Sequence, residues 1–186
     1  MLKVAALVGS IRQDSYNMKL TQFMQERYNS QLNIEIINIR DLPHYDQDIE
    51  HDLPVQVQTF KQQVHDVDAF LLVTPEFNHS IPGVLKNALD WLSRGEREMA
   101  GKPVMIAGAT MGMLGTVRAQ MHLRQILNAP GMGAKVMPGN EILVGAVQGK
   151  INEENKLTDP KTIEFIDSVV NQFVVWADKE LEFSHQ

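Results

Sequence analysis

Residues 69–74, AFLLVT, form a short apolar run that lacks the polar alternation of a half-exposed strand. Such a run is typical of a β-strand that is buried on both faces of a sheet, which requires helices on either side of it. The rest of the chain meets this requirement, because short apolar segments alternate with segments of helical periodicity. The sequence therefore predicts an α/β protein whose parallel sheet lies between two layers of helices.

Strand and helix patterns follow one another along the chain. The predicted strands are residues 3–8, 33–39, 69–74, 103–109 and 134–137, with residues 142–143 as a candidate extension of the last. The predicted helices are residues 17–28, 55–65, 81–92, 115–127 and 160–181. No internal repeat, low-complexity tract or domain boundary interrupts this order, so a single domain over residues 1–186 is expected. Residues 149–159 form a polar stretch to which the sequence assigns no role.

The composition narrows the classes of function. The formal net charge is −6 over 186 residues, which argues against nucleic acid as the main partner. The chain contains no cysteine, which excludes thiol redox chemistry, so any redox reaction would depend on a cofactor. No apolar run reaches the length of a membrane span, and the first residues lack a signal-peptide pattern. Cytoplasm is the expected compartment.

A polar loop joins the first predicted strand to the first predicted helix. Gly9 is followed there by Ser10, Arg12, Ser15 and Asn17. Loop amides and a helix N-terminus attract anions, and hydroxyl, amide and guanidinium donors suit phosphate oxygens. An ordinary turn without a ligand is the alternative for so short a motif. We predict a phosphorylated ligand at the carboxyl ends of the strands, where open α/β sheets bind ligands.

Two further loops follow strands that are expected to end at the same edge of the sheet. Residues 74–83, TPEFNHSIPG, offer several polar groups, and residues 108–115, GATMGMLG, contain glycines that allow backbone to approach a flat ligand. Taken alone, Glu76 is better interpreted as a solvated carboxylate or a helix-cap partner than as a base. His79 has no second ligand at metal-binding spacing, so no metal site is predicted. Together the loops suit a planar ring.

The three loops resemble the motifs of the NADPH-dependent FMN reductase family of flavodoxin-like proteins, which includes chromate-, quinone- and azo-reducing enzymes. The matching segments are GSIRQDSYN at 9–17, PEFNHSIPGVLKNALDW at 75–91 and GATMGMLGTVRAQMHLRQIL at 108–127. The resemblance extends over residues 3–137. It implies a flavodoxin-like three-layer sandwich in which five parallel strands have the order 2-1-3-4-5 and helices cover both faces.

The resemblance also implies which residues bind FMN. The first loop would hold the phosphate, the second would line the isoalloxazine ring, and the third would close on the ring and the ribityl chain. The implied cofactor-binding residues are Ser10, Arg12, Ser15, Asn17 and Met18 in the first loop, Pro75, Glu76, Phe77, Asn78 and Ser80 in the second, and Thr110, Gly112 and Gly115 in the third. Many relatives have Tyr where this chain has Phe77, which puts a role for a hydroxyl there in doubt.

The implied reaction is a two-electron transfer with a ping-pong mechanism. A hydride passes from NADPH or NADH to FMN, and the electrons then pass to quinones, azo dyes, flavins or oxidised metal ions. The flavin carries the chemistry, so no catalytic side chain is predicted. A flavodoxin-type electron carrier without its own NAD(P)H reductase activity is one alternative, although GSIRQDSYN differs from the Ser/Thr/Gly run usual in carriers. A phosphate- or nucleotide-binding regulatory domain without redox chemistry is the other.

Partners also follow from the resemblance, which implies a homodimer or homotetramer formed through the helices at 81–92 and 115–127. The candidate interface residues are Leu85, Leu89, Trp91, Leu92 and Leu123, for which ordinary core packing is the alternative. A 2′-phosphate on NADPH would need a basic partner. The candidates are Arg12, Lys86, Arg94 and Arg97, although a solvated charge patch is the alternative for the last two.

Overall fold

Five α-helices cover the two faces of a parallel sheet in the computed structural model, which describes residues 1–184. The strands are β1 (Leu2–Val8), β2 (Leu32–Ile37), β3 (Ala69–Val73), β4 (Pro103–Ala109), β5 (Lys135–Val136) and β6 (Ile142–Val144). The helices are α1 (Tyr16–Arg27), α2 (Val55–His65), α3 (Gly83–Leu92), α4 (Val117–Leu127) and α5 (Pro160–Ser184). Short 3-10 helices occur at Gln47–Ile49 and Val147–Gly149. The last two residues of the expected domain 1–186 lie outside the described residues.

The strand order is β2-β1-β3-β4-β5, and β6 also pairs with β4, which confirms the predicted order 2-1-3-4-5. The structure corrects the fifth strand. The sequence predicts one strand at 134–137 with an extension at 142–143. In the structure, β5 pairs with the start of β4, and β6 is a separate strand that pairs with the end of β4. Gly139 and Asn140 lie between the two short strands and have φ angles of 63° and 50°, which no extended strand can accommodate.

The sheet separates two apolar cores. All five residues of β3 are buried, as the run AFLLVT predicts for a central strand. Helices α1 and α5 pack on one face, where Phe173 is fully buried. Helices α2, α3 and α4 pack on the other, where Phe60 and Trp91 are among the largest buried side chains. Each such side chain contributes roughly 1.5–3 kcal/mol of burial free energy, so this packing holds the strand ends in fixed positions.

Two helices begin two residues later than predicted because of the backbone that precedes them. Helix α4 begins after Gly115 and Thr116, whose φ angles of 60° and 69° are left-handed. Helix α3 begins after Pro82, whose ψ of 149° is extended. None of the helices within residues 1–184 is both long enough and apolar enough to cross a membrane.

The polar stretch at 149–159 folds into a small antiparallel hairpin, in which Ile151 forms a bridge with Leu157. Its tip contains Asn155, with a φ of 63°. The side chain of Asn155 accepts a hydrogen bond of 2.8 Å from Lys19 Nζ on α1. The hairpin is therefore anchored to the helix that follows the first loop.

Candidate active site

The three predicted loops leave the sheet side by side at its carboxyl edge, because β1, β3 and β4 are neighbours. The Gly9 amide donates to Val73 O at 2.8 Å, and the Thr74 amide donates to Ala107 O at 2.9 Å. A Cβ atom on Gly9 would lie 3.2 Å from Leu85 and 3.4 Å from Pro75. The first and second loops are thus closely packed at their bases, which leaves one shared edge for a ligand.

Ser15 caps helix α1, which begins in the first loop. Its side-chain oxygen accepts from the Met18 amide at 3.2 Å, and the residue is only 3% exposed. The amides of Tyr16 and Asn17 in the first helical turn have no hydrogen-bond partner within residues 1–184. Together with the positive end of the helix dipole, these two donors have the chemistry that suits an anion.

The side chain of Asn17 is committed to the end of β4. Its Nδ2 donates to Ala109 O at 3.0 Å, and its Oδ1 accepts from the Ala109 amide at 2.9 Å. The residue is 3% exposed, so both groups are satisfied away from water. What Asn17 offers to a ligand is therefore its main-chain amide.

Charged side chains surround the tip of the first loop. Lys19 forms an ion pair with Asp14 as well as its bond to Asn155, and Arg12 Nη2 lies 3.3 Å from Asp14 Oδ2. The hydrogen bond from Lys19 is the main reason that the pKa of Asp14 lies below its usual value. The Arg12 guanidinium lies 5.7 Å from the centre of the Tyr16 ring, and its side chain is 59% exposed. Arg12 is held beside the anion position with free N–H groups.

The second loop contains a tight turn between Phe77 and Ser80. Each of these residues donates its amide to the other's carbonyl at 2.9 Å, and the central residues Asn78 and His79 have φ angles of 51° and 63°. Two positive φ angles define a type I′ turn, for which Asn is well suited. The turn projects Phe77 into solvent, with 56% of the residue exposed. Ser80 Oγ lies 2.7 Å from His122 Nδ1 on α4.

Glu76 caps helix α4, in agreement with the helix-cap interpretation. Its Oε2 accepts from the amides of Arg118 at 3.0 Å and Ala119 at 3.3 Å, and its Oε1 accepts from Arg118 Nη1 at 3.2 Å. Burial raises the pKa of Glu76, but the hydrogen bonds from Ala119 and Arg118 outweigh it, so the pKa lies below its usual value. A carboxylate held in this way links the second loop to the third and is not placed to act as a base.

The third loop packs closely against β6. A Cβ atom on Gly115, whose φ is 60°, would lie 2.7 Å from the Leu143 carbonyl carbon. Thr110 donates its amide to Val144 O at 3.0 Å, and its side-chain oxygen accepts from the Gly112 amide at 3.2 Å. The loop therefore has a defined backbone, which requires glycine at position 115.

Several apolar side chains project from this edge into solvent, and the sequence did not single them out as a group. The exposed apolar residues of the second loop, the third loop and α4 are Phe77, Met111, Met113, Leu114 and Met121. By contrast, the predicted interface residues lie inside the chain's own core with at most 1% exposed. These are Leu85, Leu89, Trp91, Leu92 and Leu123. The alternative of ordinary core packing is correct for them, because they form the sheet-facing stripes of α3 and α4.

The basic candidates for a 2′-phosphate do not all reach the three loops. Arg94 and Arg97 lie between the C-terminus of α3 and β4, which is the opposite edge of the sheet. Arg97 is exposed, in agreement with the alternative of a solvated charge, and it donates to Gly131 O at 2.9 Å and to Pro130 O. Lys86 forms an ion pair with Asp90.

Arg40, which the sequence analysis did not select, lies beside the first loop and donates to Ile11 O. The signal that could have identified it is a basic residue directly after the second predicted strand, 33–39.

Comparison with known proteins identifies relatives along most of the chain. The family model for NADPH-dependent FMN reductase matches residues 2–149. A quinone reductase of Escherichia coli is 38% identical over 170 residues, which are 89% of this chain and 86% of that protein. The NADH:(hydroxy)cinnamate reductase subunit CrdA of Vibrio ruber is 38% identical over 173 residues, which are 93% of this chain and 86% of that protein.

A solved structure agrees with these relatives. FerB of Paracoccus denitrificans, described as a flavoenzyme NAD(P)H:(acceptor) oxidoreductase, matches with a TM-score of 0.88 at 34% identity. The match covers 97% of this chain and 99% of FerB. Fold and loops together define a flavodoxin-like oxidoreductase. The chain belongs to the NADPH-dependent FMN reductase family. It is an enzyme with FMN as cofactor and NAD(P)H as electron donor.

Proposed function

We propose that FMN binds across the three loops at the carboxyl edge, with its phosphate in the first loop. The observation that carries this proposal is the pair of amides at Tyr16 and Asn17, which have no partner within residues 1–184, beside the exposed guanidinium of Arg12. Ser10 and the hydroxyl proton of Ser15 complete the set of donors, since Ser15 Oγ already accepts from Met18. Main-chain amides, hydroxyls and a guanidinium are the groups that suit a phosphate dianion.

The flavin ring is assigned to the second and third loops. Pro75 and Phe77 offer apolar surface, the turn at Asn78 fixes the backbone, and Thr110 and Gly112 form the opposite wall. Gly115 keeps that wall close to β6. Bound FMN supplies the two-electron redox centre. The protein would hold the ring in place and donate main-chain hydrogen bonds to it. Glu76 is not available for that purpose, because its carboxylate accepts hydrogen bonds from the first turn of α4.

For the acceptor, we propose a planar aromatic compound such as a quinone. Related proteins carry the names quinone reductase and 2-hydroxy-1,4-benzoquinone reductase. The exposed side chains of Phe77, Met111 and Met113 would contact such a ring, because thioether sulfur and aromatic rings pack favourably on aromatic faces. Azo dyes, flavins and oxidised metal ions are the other candidate acceptors.

We further propose that residues 1–186 act as a single cytoplasmic domain that forms a homodimer or homotetramer. The exposed apolar side chains around the third loop and α4 support an assembly, because such groups gain free energy when covered. Light scattering on the wild type and on Met113→Lys would test it, with Val175→Lys on the outer helix α5 as a control. We expect only Met113→Lys to reduce the molar mass, and an unchanged mass in both variants would contradict this interface.

The first experiment is an absorbance titration of the purified protein with FMN, followed by anaerobic addition of NADPH. We expect stoichiometric flavin binding and direct two-electron bleaching of the flavin bands. An Arg12→Ala variant should bind FMN about tenfold more weakly, the loss of one charge-assisted contact. Bound flavin that NADPH does not reduce would favour the flavodoxin-type carrier, and a protein that binds no flavin would contradict the proposed site.

A further inference from the structure

A cleft of about 340 Å³ lies between the first loop and the end of β2, and Ser10, Arg12 and Met18 of that loop line it together with residues 36–40. Its floor is apolar, with contributions from Val8, Ile37 and Ile39, and its rim carries the two guanidinium groups of Arg12 and Arg40. An apolar floor with cationic groups at its rim suits a nucleoside that bears a phosphate, because the base and ribose carbons pack below and the anion binds above.

Arg40 is a cation that has no acidic partner in the described part of the chain. Its guanidinium donates to the carbonyl of Ile11, and it makes no ion pair with any carboxylate in residues 1–184. The neighbouring Asp41 is engaged instead with Asn38 Nδ2 at 2.9 Å. In a chain of net charge −6, this exposed guanidinium can still attract an anion, and its remaining N–H groups are available for a bidentate contact.

We propose that the part of this cleft at the end of β2 binds the adenosine end of the dinucleotide donor and that Arg40 binds the 2′-phosphate of NADPH. The inference rests on the proposed function. It deepens that function by assigning donor selectivity to the end of β2, at the carboxyl edge where open α/β sheets bind ligands. The FMN phosphate has its own donors at the N-terminus of α1, so Arg40 is not needed for it.

The position of Arg40 places the proposed contact with the 2′-phosphate beside the first loop. The bond to Ile11 O ties the arginine to the same loop that carries Arg12. Because the first loop also borders the proposed flavin position, the cleft and the flavin lie at the same edge of the sheet. Arg94 and Arg97 at the opposite edge of the sheet are excluded from this role within one chain.

The test uses the FMN-loaded protein and calorimetry with adenosine 2′,5′-bisphosphate and with 5′-AMP. Wild type should bind the bisphosphate at least about tenfold more tightly, the effect of one charged, bidentate contact. Arg40→Ala should remove most of this difference and leave the affinity for 5′-AMP unchanged, and Arg40→Lys should restore part of it. Lys179→Ala, an exposed cation on α5, is the charge-matched control.

Steady-state kinetics provide a second test of the proposal. We expect Arg40→Ala to raise the KM for NADPH about tenfold, with the KM for NADH and kcat nearly unchanged. Equal binding of the two adenosine nucleotides by wild type would overturn the proposal without any variant. A loss of FMN from Arg40→Ala would also overturn it, because the cleft would then belong to the flavin phosphate. Retention of flavin and reduction by NADH test the proposed function separately. A failure of that function can therefore be distinguished from a failure of this inference.

Discussion

The side-chain amide of Asn17 and the main chain of Ala109 form a reciprocal pair of hydrogen bonds, at 3.0 Å and 2.9 Å. These two bonds extend the hydrogen-bond pattern of the sheet at the end of β4, with a side chain in place of a neighbouring strand. It fixes the first helical turn of α1 relative to the third loop across the edge of the sheet. A single residue therefore joins the proposed phosphate loop to the third loop, which forms one wall of the proposed flavin site.

Replacement of Asn17 by Ala should weaken both the fold and flavin binding. The substitution leaves the amide and carbonyl of Ala109 buried without partners, which costs about 1–3 kcal/mol. We expect the free energy of unfolding of the apoprotein to fall by that amount in urea, and FMN affinity to fall with it. Asn33→Ala, at an exposed position on β2, is the matched control. Equal stability of the two variants would show that the Ala109 pair contributes nothing.

Glu76 should matter for structure and not for proton transfer. Glu76→Ala removes the cap from the amides of Arg118 and Ala119 and should destabilise the protein by about 1 kcal/mol. Glu76→Gln keeps an acceptor, so it should be more stable than Glu76→Ala and retain most of kcat. The pH profile of kcat decides the role. Because the pKa of Glu76 is held below its usual value, the profile of Glu76→Gln should coincide with that of wild type near neutral pH.

Gly115→Ala should disrupt the third loop. The added Cβ would lie 2.7 Å from Leu143, and the φ of 60° is unfavourable for any residue with a side chain. We expect a lower melting temperature together with weaker FMN binding, measured by thermal denaturation with and without flavin. Gly149→Ala is the control, since no heavy atom of the described residues outside its own helical turn lies within 4 Å of the position its Cβ would take. Similar melting temperatures for the two variants would argue against the close contact with β6.

Asp167 should make stability depend on pH in the acid range. Arg27 donates to its two oxygens at 2.6 Å and 2.7 Å, and Tyr28 OH donates at 2.8 Å, which joins α1 to α5. The hydrogen bond from Arg27 is the main reason that the pKa of Asp167 lies below 3.8. Since the carboxylate is favoured in the folded state, its contribution is complete well above pH 3.8 and is lost as the pH falls toward the lowered pKa.

Asp167→Asn should therefore flatten the acid limb of the stability curve. At neutral pH we expect a loss of about 1 kcal/mol, modest because both partners are partly exposed to water. Urea denaturation at several pH values between 3 and 7 measures the effect. A wild type and a variant that lose stability in parallel as the pH falls would contradict the assignment to this carboxylate. Asp178→Asn, on the same helix, serves as the control.

The general fold could be predicted because its signals are local and repeated. The run at β3 and the helical periodicities determine which segments are strands and helices, and the right-handed parallel connections then limit the topology. The break between β5 and β6 could not be read in the same way. It depends on left-handed backbone at Gly139 and Asn140 and on Arg124, which donates to Met137 O at 2.9 Å and to Gly139 O at 3.2 Å.

The site was predictable in its loops but not in the partners of its side chains. The polar sequence after Gly9 indicated an anion position, yet nothing local shows that Asn17 bonds to Ala109, 92 residues away. Likewise, Glu76 precedes the helix it caps by about 40 positions in the chain. Such pairs depend on the order of strands in the sheet, so only the folded chain reveals which polar groups remain free for a ligand.

The broken fifth strand also affects how the protein meets other copies of itself. A long open strand at the margin of a sheet offers a ladder of unpaired amides and carbonyls on which another chain can add a strand. Here that margin consists of two residues, then a kink, then three residues. No intruding strand could stay in register across the kink. The break between β5 and β6, the second of which packs against the third loop, therefore protects this side of the sheet from edge-to-edge aggregation.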